Sequence, residues 1–256
     1  MLSSIVRHTV LGVIPARFAS SRFPGKPLAV VAGKSMLRHV WERASLAGSL
    51  SRLLIATDDD RIFAEARRFG AMIRMTSPEH SSGTERVAEV AASDSASLVV
   101  NIQGDEPLIE PTAIDAAVNG LIEHPECDMC TLKKRIQDQR ELVNPNVVKV
   151  VTSLDGNAIY FSRLPIPYET GIGVVHYKHI GLYVYRRDFL LRYAQLPAGP
   201  LEKAERLEQL RALENGCRIH VVETDYDSIG VDTPEDLERV ADLLAAGVRR
   251  TMKNHG

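Results

Sequence analysis

The chemistry most evident in the chain is that of a polyphosphate grip, in Ile14-Pro15-Ala16-Arg17-Phe18-Ala19-Ser20-Ser21-Arg22-Phe23-Pro24-Gly25-Lys26-Pro27. From Pro15 to Lys26 it offers the cations Arg17, Arg22 and Lys26 together with two hydroxyls and a glycine. Guanidinium forks and an ammonium point charge can hold and neutralise a triphosphate. Ser20 and Pro27 break the G-x-x-x-x-G-K-[ST] pattern, and no G-x-G-x-x-G is present, so neither common phosphate loop applies. Spacing alone leaves a solvated surface loop as an equal reading.

Two further segments carry carboxylates. In Asn101-Ile102-Gln103-Gly104-Asp105-Glu106-Pro107 a carboxylate can hold Mg²⁺, which takes oxygen ligands and usually only one or two from protein. Gly104 lets the backbone pass close to a ligand, although the segment also reads as a turn ahead of Pro107. In Gly230-Val231-Asp232-Thr233-Pro234-Glu235-Asp236-Leu237, Asp232 or Thr233 reads first as a helix cap, with proline near N1 and acids in the first turn. A metal role for Asp232 requires it to meet Asp105 across the fold. His124, Cys127 and Cys130 have metal-like spacing, but Cys217 and His220 make no clean second zinc pair, so all five read as ordinary edge and strand residues. No G-x-S-x-G elbow is present, which removes the usual sign of an acyl-transfer serine.

The elements that must position these residues follow from periodicity. Apolar runs at residues 10–15, 53–57 and 98–103 predict buried strands. Between them, Leu37, Val40, Trp41 and Ala44 mark a helix that Gly48 can end, and Ile62, Ala66 and Phe69 mark another closed by Gly70. Ser82 and Glu85 predict a capping box ahead of Val87, Val90 and Ala91. Strands alternating with such helices imply a mostly parallel sheet covered on both faces. After Glu141 come closely spaced strands at 147–152, 158–162 and 179–185, suggesting an antiparallel or mixed extension. A charged helix is expected at about 202–215, then a strand at 218–222 and a terminal helix with Leu237, Val240, Ala241 and Leu244. The whole reads as one domain, 1–249, with a strand-rich lobe at about 141–200 and a frayed tail at 250–256.

Composition sets the class. With 256 residues, 45% of them hydrophobic, the chain can build a full core. The balance of 31 basic against 33 acidic residues argues against a general nucleic-acid surface. Three cysteines fit a reducing cytosol, no run reaches the length needed to cross a bilayer, and the N-terminus lacks signal-peptide features. A cytoplasmic protein with no membrane insertion is expected.

Taken together, the segments resemble the CMP-Kdo synthetases, or 3-deoxy-manno-octulosonate cytidylyltransferases. The resemblance rests on residues 14–28, Ala56-Thr57-Asp58, Ser82-Gly83-Thr84-Glu85-Arg86, residues 100–108 and Asn144-Pro145-Asn146-Val147-Val148-Lys149. It continues through Tyr160-Phe161-Ser162-Arg163, His179-Ile180-Gly181-Leu182-Tyr183, Leu207-Glu208-Gln209-Leu210-Arg211 and residues 230–237, in order along nearly the whole chain.

The resemblance implies a Rossmann-like, glycosyltransferase-A-type α/β fold and a Mg²⁺-dependent homodimer. It implies in-line attack of the anomeric hydroxyl of Kdo on the α-phosphorus of CTP, giving CMP-Kdo and pyrophosphate for lipopolysaccharide synthesis. It places Arg17 and Lys26 on the triphosphate, with Arg22 beside them, and Ser82 and Arg86 along the nucleotide. Gln103 falls between nucleotide and sugar, while Asp105 and Asp232 share Mg²⁺. Arg163 pairs with the sugar carboxylate, and His179, Tyr183, Glu208 and Gln209 bind hydroxyls or the carboxylate. Plainer readings stand beside these: a core tyrosine, charged surface positions on a helix and an interior histidine. Arg22-Phe23, Tyr177-Lys178-His179 and Asp227-Ser228-Ile229 also resemble members that activate an 8-amino analogue of Kdo. Lys133-Lys134-Arg135 and a short segment at 167–176 depart from many members. Transfer of CMP to a sialic-type acid, and a nucleotide-binding module without turnover, are the competing functions.

Overall fold

Successive side chains of a strand face opposite ways, and in β1 (Val10–Ala16) both directions are buried. Val10 and Ile14 enter one core, Leu11 and Val13 the other, so the strand needs helices on both faces. The computed structural model describes residues 8–19, 23–171 and 173–253, and side chains as far as residue 246. A 3₁₀ turn at Lys26–Leu28 follows β1, then a small hairpin of β2 (Val30–Val31) and β3 (Lys34–Ser35). Next come α1 (Met36–Ala44), β4 (Arg52–Thr57), α2 (Asp60–Arg68), β5 (Ile73–Met75), α3 (Gly83–Ala92) and β6 (Leu98–Asn101). The second half holds α4 (Pro111–Glu123), β7 (Met129–Arg135), α5 (Gln139–Val143), β8 (Lys149–Thr152), β9 (Ala158–Ser162) and β10 (Tyr177–Arg186). It ends with α6 (Arg187–Tyr193), α7 (Pro200–Glu205), α8 (Gln209–Glu214), β11 (Ile219–Glu223) and α9 (Pro234–Lys253).

Among the described residues, nine strands form one mixed sheet with the path β11-β7-β10-β6-β1-β4-β5, and β8 and β9 hang from β10 as an antiparallel flap. Pairs β6-β1, β1-β4, β4-β5 and β7-β11 are parallel, whereas β10 runs antiparallel to both neighbours. Helices α1, α2 and α4 cover one face and α3, α6 and α8 the other. The chain winds outward from β1 to β4 and β5, then returns to β6 on the other side of β1. That reversal opens a crevice beyond the carboxyl ends of β1 and β6, where open α/β sheets bind ligands.

The predicted α/β class and mixed extension hold, and several boundaries move. Strand β6 stops at Asn101 rather than 103: Ile102 N–H still bonds the Val13 carbonyl (2.9 Å), and the chain then leaves the sheet in a turn at Gly104. Helix α1 ends at Ala44, and Gly48 instead donates its N–H to Asp115 (3.2 Å). Residues 147 and 148 lie outside β8 because Val147 closes a turn onto the Asn144 carbonyl (3.1 Å). Strand β9 has the expected bounds, and the strands expected at 179–185 and 218–222 shift by one or two residues, to Tyr177–Arg186 and Ile219–Glu223.

The expected helix at 202–215 is two helices broken at Arg206, which has φ 53°. The break is anchored from outside: Arg163 donates to the carbonyls of Glu205 (2.7 Å) and Arg206 (3.4 Å), oxygens a continuous helix would use itself. The expected cap forms at Ser82, whose Oγ accepts from Glu85 N–H (3.2 Å), while the Glu85 carboxylate reaches back to the Ser81 amide (2.7 Å) and hydroxyl and to the Ser82 amide. At the other end α9 continues to Lys253, past the expected fraying point at 249.

Candidate active site

The crevice is an open cavity of about 320 Å³, lined on its basic side by Arg17, Lys26 and Arg86 and closed below by the ends of β1 and β6. Gly104 makes the floor possible. A Cβ there would lie 2.8 Å from the Pro15 carbonyl oxygen, so only glycine lets the two strand ends approach this closely. The loop after β1 is pinched shut by a hydrogen bond from Gly25 N–H to the Phe18 carbonyl (3.0 Å). Gly25 holds φ 73°, and a Cβ would meet the Phe18 ring at 3.0 Å. Arg17 stands exposed at the mouth, while Arg22 lies outside the described residues.

Lys26 connects the three segments that carry the phosphate and carboxylate chemistry. Its ammonium donates to Asp105 Oδ2 at 2.7 Å and to Asp232 Oδ1 at 3.3 Å. One cation thus already sits between two carboxylates that are far apart in sequence. Residues 231 and 232 are brought there by the Val231 N–H, which bonds the Asp105 carbonyl (2.9 Å). The helix-cap reading of this segment falls to Thr233. Its hydroxyl accepts from Asp236 N–H (3.3 Å), and the Asp236 carboxylate returns to the Thr233 N–H (3.0 Å) and the Asp232 N–H (2.9 Å). With the cap supplied by its neighbour, the Asp232 carboxylate lines the crevice, where it pairs with Lys26.

Arg86 is 3% exposed and held in place by Asp58 (2.9 Å) and the Thr76 hydroxyl. A buried guanidinium of this kind needs its counter-ion, and Asp58 supplies it. Ser82, the α3 cap, faces the cavity at the N-terminal end of that helix, where N–H groups favour anions. His80, also on the wall, is paired with Glu89. The Gln103 side chain donates to the Gly181 carbonyl (3.1 Å), joining the floor to β10.

The remaining candidates stand beyond Gln103, around β10. Tyr183 donates to Gln209 Oε1 (3.2 Å), and Glu208 accepts from the Thr84 hydroxyl (3.0 Å). Burial pushes the Glu208 carboxyl above the ordinary carboxylate range and the Tyr183 phenol above its usual value. Burial also holds the His179 imidazole down at about 3, so it is neutral at pH 7. Its Nε2 lies 2.8 Å from the Thr131 hydroxyl. Arg163 is not among the cavity-lining residues, and its guanidinium is taken up by the carbonyls of Pro145 (2.9 Å), Glu205 and Arg206.

Sequence patterns did not single out Asp58, His80, Glu106 or Thr131. Asp58 lies in a resembling segment, yet nothing local ties it to Arg86, 28 residues away. Glu106 is buried beneath the floor, accepting from Tyr226 (2.8 Å), and burial pushes its carboxyl up to about 7. Of the five residues read as ordinary edge and strand positions, His124 and His220 stack with ring centroids 3.6 Å apart, and Cys127 and Cys130 are buried.

The geometry can be set beside known proteins. A family model described as cytidylyltransferase matches residues 11–219. The chain is 62% identical over 247 residues to a 3-deoxy-manno-octulosonate cytidylyltransferase of Solibacter usitatus, covering 96% of this chain and 98% of that one. A protein of the same name from Geobacter sulfurreducens is 55% identical, covering 92% and 99%. A solved structure of CMP:2-keto-3-deoxy-manno-octonic acid synthetase complexed with CTP superposes with a TM-score of 0.90 at 41% identity, covering 93% of this chain and 99% of that one.

Proposed function

From the premise that the chain belongs to the 3-deoxy-manno-octulosonate cytidylyltransferase family, we propose that it transfers CMP from CTP to the anomeric hydroxyl of Kdo, with release of pyrophosphate. The observation that carries this reading is the meeting of Asp105, Asp232 and Lys26 in a basic crevice beside a wall of buried hydrogen-bonding groups. Phosphoryl-type transfer asks for positioning and charge neutralisation, and no covalent nucleophile is required.

Two carboxylates already converging on one cation have the donor chemistry that Mg²⁺ takes. Bound there, Mg²⁺ would supply Lewis-acid polarisation of the α-phosphate. With that ion between the carboxylates, Lys26 would pair with the polyphosphate, joined by Arg17 at the mouth and by Arg22. Arg86 and the Ser82 helix end border the nucleotide, and Gln103 stands between the two substrates. His179, Tyr183, Glu208 and Gln209 receive the sugar. Arg163 takes the sugar carboxylate by exchanging its Pro145 carbonyl for the ligand. Ile159, Leu164 and Tyr168 are 60%, 70% and 88% exposed on the strand-rich lobe, which supports a homodimer contact there. No described helix is long and apolar enough to cross a membrane.

The deciding experiment measures pyrophosphate release across a panel of triphosphates and sugar acids. Release is expected only with CTP, Mg²⁺ and Kdo together. Faster turnover of the 8-amino analogue would reassign the acceptor, and no release with either sugar from folded protein would remove the transferase reading.

A further inference from the structure

The wall formed by β10 contains an irregularity in which one buried side chain meets two backbone carbonyls and a ring nitrogen. Pairing between β10 and β7 shifts register between Ile180 and Val184, so the intervening residues are displaced from the regular ladder. Thr131, fully buried on β7, fills the gap. Its hydroxyl lies 3.0 Å from the Ile180 carbonyl, 2.8 Å from the Leu182 carbonyl and 2.8 Å from His179 Nε2. A hydroxyl has one proton to give and two lone pairs to receive with. Both carbonyls can only accept, so they compete for the single hydroxyl proton. With the proton given to either of them, the hydroxyl oxygen is left as acceptor toward the ring, and Nε2 then carries the imidazole proton.

We propose that Thr131 is a positioning residue that locks His179 in the neutral Nε2–H tautomer, leaving Nδ1 as a hydrogen-bond acceptor for a hydroxyl of the acceptor sugar. The inference rests on the reading that His179 faces the sugar. Edge contact with Phe161 (4.9 Å between centroids) and the tilted Tyr183 ring (5.5 Å) keep the imidazole from turning over. The same bulge carries the Gly181 carbonyl that receives Gln103, so Thr131 also steadies the link between sugar wall and nucleotide floor. A tautomer set by a partner on the far nitrogen is the usual way a protein decides what an imidazole offers its ligand.

The test compares Thr131→Val, which keeps the shape and loses the hydroxyl, with Thr131→Ser, which keeps the hydroxyl. Long-range ¹⁵N–¹H spectra of the imidazole should show His179 as Nε2–H in wild type and Thr131→Ser, and as a mixture or as Nδ1–H in Thr131→Val. Loss of one oriented hydrogen bond should raise KM for Kdo by about fivefold to twentyfold in Thr131→Val, with kcat and KM for CTP within about twofold. The Ser variant should restore the Kdo KM. A wild-type ring found as Nδ1–H overturns the assignment, and this measurement needs no variant to fold. A tautomer that changes in Thr131→Val while KM for Kdo stays fixed overturns the link to the sugar and faults the placement of His179 itself. Equal losses in Thr131→Val and Thr131→Ser would reduce Thr131 to packing.

Discussion

The two halves of the crevice hold their polar groups in opposite ways. On the proposed nucleotide side the groups are charged and line an open cleft: Lys26 between Asp105 and Asp232, the buried Arg86 against Asp58, Arg17 at the mouth. On the sugar side they are bonded to one another in pairs, Tyr183 to Gln209, Glu208 to Thr84 and His179 to Thr131. Burial there raises the Glu208 carboxyl and lowers the His179 imidazole, each toward its neutral form. A polyanion can be caught by net charge at some distance. A sugar whose hydroxyls differ only in direction is told apart by donors and acceptors already fixed in place.

The comparison breaks most visibly at the carboxylates. Asp105→Asn should lower kcat by about a thousandfold, since a metal carboxylate acts on the transition state, with little change in melting temperature. A collapse in stability would mean that Asp105 serves the fold instead. Lys26→Met should cost about a hundredfold in kcat/KM for CTP. In calorimetry it should also tighten Mn²⁺ binding to nucleotide-free protein, because the carboxylates lose their internal cation. Unchanged Mn²⁺ affinity would show that Lys26 does not compete for that position.

Arg163 sharpens the boundary between the halves. Arg163→Ala should raise KM for Kdo about tenfold and leave KM for CTP nearly unchanged. It should also lower the melting temperature, since the carbonyls of Pro145, Glu205 and Arg206 lose their donor. A stability loss alone would remove it from the sugar site.

The smallest effect on turnover is expected beneath the floor, where Glu106 is 6% exposed and burial pushes its carboxyl from an ordinary 4.5 up to about 7. The folded protein therefore holds this proton more tightly than the unfolded chain does. Its cost to stability is absent below pH 4.5, grows as pH rises and is complete above pH 7, reaching at most about 3 kcal/mol. Glu106→Gln should gain melting temperature relative to wild type as pH goes from 5 to 8. A gap that stays constant would mean the carboxyl titrates normally.

The residues proposed for the nucleotide stand out in sequence far more than those proposed for the sugar, for a physical reason. Phosphate binding concentrates charge in short segments, so Arg17, Lys26 and Asp105 stand out at strand ends. Strand and helix cores were legible because Val10, Ile14, Leu37 and Val40 follow the period of their element. The break at Arg206 was hidden because tertiary bonds from Arg163 impose it against local helical preference. The pairings Arg86–Asp58 and His179–Thr131 span 28 and 48 residues and leave no local pattern. Local pattern leaves the cap open between Asp232 and Thr233, and only the fold shows that Thr233 and Asp236 cap each other.

The place of β10 in the sheet also orders events in time. The parallel unit β6-β1-β4-β5 comes entirely from residues 10–101, so it can assemble from a contiguous stretch of emerging chain. Strand β7 reaches that unit only through β10, and β10 is not made until residues 177–186. Loop closure across that gap is entropically expensive and slow, which leaves the β6 edge unpaired in the meantime. A nascent molecule thus owns the phosphate loop and Asp105 long before it owns the sugar wall, and Asp232 arrives last of all.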